Sequence, residues 1–164
     1  MWVNEMKLLE RNYLTKIINV IGTPDIKVIT GIRRSGKSCL LLQFMEYINQ
    51  TDKDANIIFV DFNSLSAEPY LEYHALNNYI EGQYKSNKNN YVCIDEVQMC
   101  SGFEEVINSL HSSMKYDIYI TGSNAFLLSS DLATLFTGRT YEIEIFPFSY
   151  KECLKYYTWQ YSLD

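Results

Sequence analysis

The sequence predicts an α/β domain of three layers, a mostly parallel five-stranded sheet with helices on both faces. Three observations carry that prediction. β-Branched and aromatic runs alternate along the chain with segments of 3.6-residue apolar periodicity. Several of the runs are almost wholly apolar, as strands covered on both faces must be. A glycine-containing turn joins the first run to a strongly periodic segment, giving the order strand, loop, helix.

Residues 7–21 read as an amphipathic helix with Leu8, Leu9, Tyr13, Ile17 and Ile18 on one side. Gly22, Thr23 and Pro24 break it. Residues 26–30 (IKVIT) are the first strand, and Leu40, Leu41, Phe44, Tyr47 and Ile48 make a helix of 39–49. Residues 56–61 (NIIFVD) form the second strand. A helix over 69–84 carries Leu71, Leu76 and Ile80 on one side, and residues 85–90 (KSNKNN) read as a solvated loop. The third strand is 91–95 (YVCID), followed by a helix over 103–114 with Val106, Ile107, Leu110 and Met114 in register. The fourth strand is 117–121 (DIYIT). The fifth, 140–145 (TYEIEI), is more exposed, because Glu142 and Glu144 alternate with Tyr141, Ile143 and Ile145. Pro147 stops it, and Ser149 is positioned as the N-cap of a last helix starting near Tyr150.

With 164 residues and 47% apolar composition, the chain reads as one domain. Its expected parts are a helix and lead-in (1–24), a core (25–146), and a C-terminal helix opening a further region (147–164). A formal net charge of −6 argues against a broad nucleic-acid-binding face. Cys39, Cys93, Cys100 and Cys153 form no C-x-x-C pair. Cys39 and Cys93 fall in predicted core elements, so buried free thiols in a reducing compartment are expected. His74 and His111 each stand alone and are read as non-catalytic. No apolar run has the length of a membrane span, and the N-terminus is charged where a signal peptide is apolar. A cytoplasmic protein without a membrane partner is expected.

The turn is residues 31–38, GIRRSGKS, which match G-x-x-x-x-G-K-[ST] at every fixed position. Chance alone produces such a match in roughly one chain in 200 of this length, and the strand–loop–helix context narrows it further. Glycine lets the backbone turn tightly and aim N–H groups at one anion. Lys37 is the mobile charge for β- and γ-phosphates, the Ser38 hydroxyl is a Mg²⁺ ligand, and the following helix adds its positive end. Candidate nucleotide contacts are therefore Gly31, Ile32, Arg33, Arg34, Ser35, Gly36, Lys37, Ser38 and Cys39. The fold becomes a P-loop NTPase fold, with a nucleoside triphosphate and Mg²⁺ as the expected ligands.

In parallel sheets ligands bind at the carboxyl ends of strands, so residues at those ends are the next candidates. The third strand closes on Asp95 and Glu96, suited to holding Mg²⁺ and to polarising the attacking water. A strand and a helix separate the loop from Asp95, which suits the class with an extra strand between the Walker A and Walker B strands. The fourth strand ends in Thr121, Gly122, Ser123 and Asn124, where a small polar side chain can sense the γ-phosphate; Ser123 and Asn124 are favoured over Thr121. Arg139, in Thr137–Gly138–Arg139, is read as either a surface residue or a neutraliser of transition-state charge, in its own or a neighbouring subunit.

Taken in order, GIRRSGKS, CIDEVQ (93–98), ITGSNAFLL (120–128), TGRT (137–140) and FPFSYKE (146–152) resemble a family of prokaryotic AAA-type ATPases. The resemblance runs from about residue 11 to 157. Its members have an N-terminal helix, the ATPase core and a C-terminal domain of unknown function. The resemblance implies ATP contacts at 31–38, Mg²⁺ at Ser38 and Asp95, hydrolysis through Glu96, Ser123 or Asn124 as sensor, and Arg139 as a motif arginine. It also implies that this chain is a fragment, because the aromatic tail YYTWQYSLD stops where such proteins continue. A protein or DNA client would then be engaged through that further region, and self-association through a trans arginine is a second expectation.

The function expected is a Mg²⁺-dependent ATPase that drives conformational change in a partner or attached domain. The alternative is an ATP-gated switch with little turnover. A small-molecule kinase lacks an acceptor-binding insertion here, and a GTPase lacks its base-reading Asn-Lys-x-Asp, since 87–90 reads NKNN.

Overall fold

The computed structural model describes residues 13–123, 136, 138–150 and 152. Its strands are β1 (Ile26–Gly31), β2 (Ala55–Asp61), β3 (Asn89–Asp95), β4 (Asp117–Thr121) and β5 (Thr140–Ile145). They form one five-stranded sheet in the order β2-β3-β4-β1-β5. Every pairing is parallel, so all five carboxyl ends lie along one edge. β4 sits between β1 and β3, which is the inserted strand that the motif spacing predicts.

Helices cover both faces. Successive strand residues point to opposite sides, and the core divides accordingly. Val92, Ile94, Ile118 and Ile120 pack with Leu76, Ile80, Val106 and Leu110, from α3 (Tyr73–Gly82) and α4 (Phe103–Ser113). Cys93 and Tyr119 face the other way, onto Ile17 of α1 (Tyr13–Ile18) and Leu41, Phe44 and Ile48 of α2 (Lys37–Thr51). Phe44 lies 4.2 Å from the Tyr119 ring, centroid to centroid. Truncating a buried aromatic of that kind costs about 3–5 kcal/mol. At the sheet edge β5 keeps Ile143 and Ile145 buried and turns Glu142 and Glu144 outward, charges that discourage a further strand from pairing.

Five expectations change, one of them at Met114, which caps α4 in left-handed backbone and is 73% exposed instead of sitting in its apolar stripe. The first helix ends at Ile18, because Val20 and Ile21 donate to carbonyls three residues back and tighten the chain into turns; residues 7–12 lie outside the described ones. The helix expected over 69–84 splits into a 3₁₀ segment, Leu65–Tyr70, and α3. Between them Glu72 is extended and bridges to Ser101, so Leu71 turns outward and is 40% exposed. Cys39 is exposed, since it lies off the stripe of Leu40, Leu41 and Phe44; Cys93 is buried as expected, and Cys153 lies outside the described residues. Asn90 is no loop residue: buried in β3, it bonds to Lys85, Lys88 and Asn56 and closes the turn between α3 and β3. Ser149 does act as predicted. Its Oγ accepts from Glu152 N while Ser149 N donates to the Glu152 carboxylate at 2.6 Å, a reciprocal capping box.

At the amino ends of the strands, Lys27 is fully buried. Its ammonium lies 2.6 Å from Asp117 Oδ1, donates to Thr23 O at 2.6 Å and sits 5.4 Å from the Tyr119 ring centroid. Asp117 Oδ2 also accepts from Gly22 N and from the Tyr119 hydroxyl, both at 2.9 Å. This network bolts the lead-in turn to β4. Burial first, and the Asp117 charge second, push the Tyr119 phenol well above its ordinary pKa.

Candidate functional site

The opposite edge of the sheet gathers the motif residues. β1 ends at Gly31, whose φ is 153° and whose Cα has the Ile145 carbonyl and the Ser35 hydroxyl where a Cβ would stand. Gly36 follows at φ 99°, a conformation that L side chains rarely adopt, and α2 starts immediately after it. No side chain among the described residues caps α2, and its first turn holds no acidic residue. A 15-residue helix therefore presents its free N–H groups and positive end at the carboxyl edge of the sheet. Arg33 and Arg34 are exposed on the loop, with Arg34 at φ 67°, while Ser35 is buried.

Lys37 is 5% exposed, and its ammonium is loosely held. It donates to Gly31 O at 3.2 Å and Ile32 O at 3.3 Å, and stands 3.7 Å from Glu96 Oε1. A nearly buried cation with long contacts fits an incoming phosphate that would supply short ones. Ser38 is half-buried one residue further along α2, and Cys39 is exposed beside it.

Asp95 ends β3 almost fully buried. The Thr121 hydroxyl donates to Asp95 Oδ1 and accepts from Glu96 N at 3.0 Å, so one side chain at the end of β4 holds both acids. Asn63, just past β2, donates to Asp61 Oδ1 at 3.1 Å and Asp95 Oδ2 at 3.2 Å. Asp61 and Asp95 are register partners on adjacent strands. Glu96 itself has φ 54° and ψ 52°, left-handed backbone uncommon outside glycine and enriched at functional sites. Its Oε2 accepts from Gln98 Nε2.

The donor set bears on a metal. Among the described residues no three His, Cys, Asp or Glu side chains converge. Ser38, at the start of α2, and Asp95, at the end of β3, both lie at the carboxyl edge of the sheet, and both carry oxygen donors of the kind a hard cation takes.

The remaining candidates divide. Ser123 is half-buried just beyond β4, whereas Asn124 lies outside the described residues. Thr121, which sequence reasoning ranked below both, is the one whose hydroxyl reaches Asp95 and Glu96. Arg139 is exposed at the amino end of β5, where its carbonyl accepts from Ile26 N at 2.8 Å. The register pairs Ile26 with Thr140 and Gly31 with Ile145. Five strand residues, about 17 Å at 3.3 Å each, separate Arg139 from the loop along the strand direction. Asn63 and Gln98 were missed. A signal existed for Asn63: β2 and β3 both close on an aspartate, so polar residues just past either belong to one edge.

Comparison with known proteins agrees with this geometry. A profile of an AAA domain matches residues 23–154. An uncharacterized protein of Haemophilus influenzae is 40% identical over 154 residues, which are 93% of this chain and 38% of that protein. An uncharacterized protein of Methanocaldococcus jannaschii is 31% identical over 150 residues, 92% of this chain and 32% of that one. The chain thus spans less than two fifths of either relative. AMPPCP-bound DnaA from Aquifex aeolicus has a TM-score of 0.62 at 18% identity, over 93% of this chain and 50% of that one. Domain III of the Thermotoga maritima replication initiation protein DnaA gives 0.58 at 17% identity, over 89% and 72%. At such identities the likeness is one of fold. Among the described residues no helix is long and apolar enough to cross a membrane. Profile, sheet order and phosphate-loop geometry together place the chain in the AAA domain family, as a P-loop AAA-type ATPase domain.

Proposed function

We propose that this domain binds ATP with Mg²⁺ and hydrolyses it, and that the cycle drives conformational change in an attached region or a partner. One observation carries the reading. An uncapped helix N-terminus, a nearly buried lysine and a glutamate with left-handed backbone meet at one edge of the sheet, Lys37 and Glu96 being 3.7 Å apart.

In this reading the N–H groups of residues 31–39 and the Lys37 ammonium hold the phosphates, with Arg33 and Arg34 adding positive charge at the rim. Ser38 and Asp95 would hold Mg²⁺, which supplies charge neutralisation at the β- and γ-oxygens. Glu96 orients the attacking water and takes its proton, and Ser123 or Asn124 reads the γ-phosphate. Thr121 and Asn63 keep the acids at the edge. Arg139 acts in trans, a reading supported by its place at the amino end of β5, away from the loop of its own chain. The cycle is coupled to a client, either protein or DNA. The location is cytoplasmic.

A second reading, an ATP-gated switch with little turnover, is supported by the Lys37 ammonium standing 3.7 Å from Glu96 Oε1. Phosphate release from ATP and Mg²⁺, measured over a range of protein concentrations, separates the two. Glu96→Gln is expected to keep ATP bound and slow release at least ~100-fold, the scale of a lost general base. Turnover that rises with concentration, and loses that rise in Arg139→Ala, supports the trans arginine. Tight binding without release supports the switch, and normal turnover in Glu96→Gln removes Glu96 from the chemistry.

A further inference from the structure

We propose that Gln98 is a positioning residue that aims the Glu96 carboxylate; the role rests on the hydrolytic reading above. The two oxygens of Glu96 have different neighbours. Oε1 faces the Lys37 ammonium at 3.7 Å, and Oε2 accepts from Gln98 Nε2. A carboxylate with a cation that close is drawn toward it. Collapse onto Lys37 would neutralise the charge that phosphate needs and turn the base away from water. A donor on the other oxygen opposes that pull.

The amide is oriented for this task. With Nε2 on Glu96, Gln98 Oε1 is buried and accepts from no protein group among the described residues. The flipped amide would set oxygen against oxygen. The donor end of the amide is thus the one turned to the Glu96 carboxylate.

Its base is rigid as well. Gln98 lies in a single 3₁₀ turn, Val97–Met99, whose Val97 is fully buried in the core. Met99 N donates to Glu96 O at 3.0 Å and Cys100 N to Val97 O at 3.1 Å, so the turn is closed on both sides. Residue chemistry fits too. Glutamine donates to a carboxylate without adding charge beside the phosphates, whereas lysine would neutralise Glu96 and glutamate would repel it.

The test uses the whole chain and three readouts: steady-state phosphate release, calorimetric affinity for the β,γ-methylene analogue of ATP, and melting of the nucleotide-free protein. Gln98→Ala is expected to lower kcat about 10- to 50-fold, within the range of acid–base contributions. KM and analogue affinity should stay within about twofold, the pattern of an interaction used only in the transition state. Gln98→Met preserves volume without the donor and should match it, which controls for packing. In a Glu96→Gln background, Gln98→Ala should slow single-turnover release no further, because it acts through Glu96. An undiminished kcat in Gln98→Ala, a loss carried by affinity or melting, or additivity with Glu96→Gln would overturn the proposal. A wild-type chain that releases no phosphate, or a Glu96→Gln chain at full rate, overturns the hydrolytic reading itself and this role with it.

Discussion

Each end of the sheet buries a lysine near a carboxylate, and the two pairs are built differently. At the amino ends, Lys27 and Asp117 are 2.6 Å apart, with Thr23 O, Gly22 N and the Tyr119 hydroxyl completing both partners. At the carboxyl ends, Lys37 and Glu96 stand 3.7 Å apart, and the lysine's other contacts are two long ones to loop carbonyls. A saturated pair has nothing left to give a ligand and acts as a rivet. A loose pair holds its charge ready for one. Burial alone, similar for both lysines, does not distinguish them; the completeness of their hydrogen bonding does.

The largest effect should come from emptying the loose end. Lys37→Ala is expected to weaken ATP binding at least ~1000-fold by calorimetry, about 4 kcal/mol, with melting nearly unchanged. Lys27→Met should do the reverse. Leaving Asp117 without its cation is expected to cost about 3 kcal/mol and roughly 10 °C in melting, with nucleotide affinity retained. Either variant moving both quantities equally would erase the distinction between the two ends.

A third, smaller effect sharpens the map of the loose end. In a Cys153→Ser background at pH 8, a maleimide should label exposed Cys39 first, and ATP should slow it several-fold. Cys100, whose thiol burial pushes up to about 11, and Cys93, raised further by full burial, hold little thiolate at that pH and should react slowly. Labelling of Cys39 that ignores ATP would move the nucleotide away from the start of α2.

Much of this was legible because motif and strand ends are local signals. The run IKVIT before GIRRSGKS, and YVCID before Glu96, place both halves of the site on the carboxyl edge once the sheet is parallel. What escaped was non-local. The break at Glu72 depends on a bridge to Ser101, which no helical periodicity can register. Arg139 precedes β5 in sequence, but only the register with Ile26 shows that it lies at the far end from the loop. Thr121 and Gln98 are ordinary residues until neighbouring strands and turns bring their donors onto Asp95 and Glu96. Cys39 is a different case, since the spacing of Leu40, Leu41 and Phe44 already leaves it off the buried stripe.

Gly31 has a consequence for how this sequence can drift. At Gly36 only the backbone angle resists replacement, because a Cβ there meets nothing within 4 Å. At Gly31 an added carbon would also strike the main-chain oxygen of Ile145, which has no rotamer by which to yield. Two glycines of one motif are thus retained for different reasons. The first answers to the neighbouring strand as well as to the loop, and would resist substitution even in a descendant that no longer used a nucleotide.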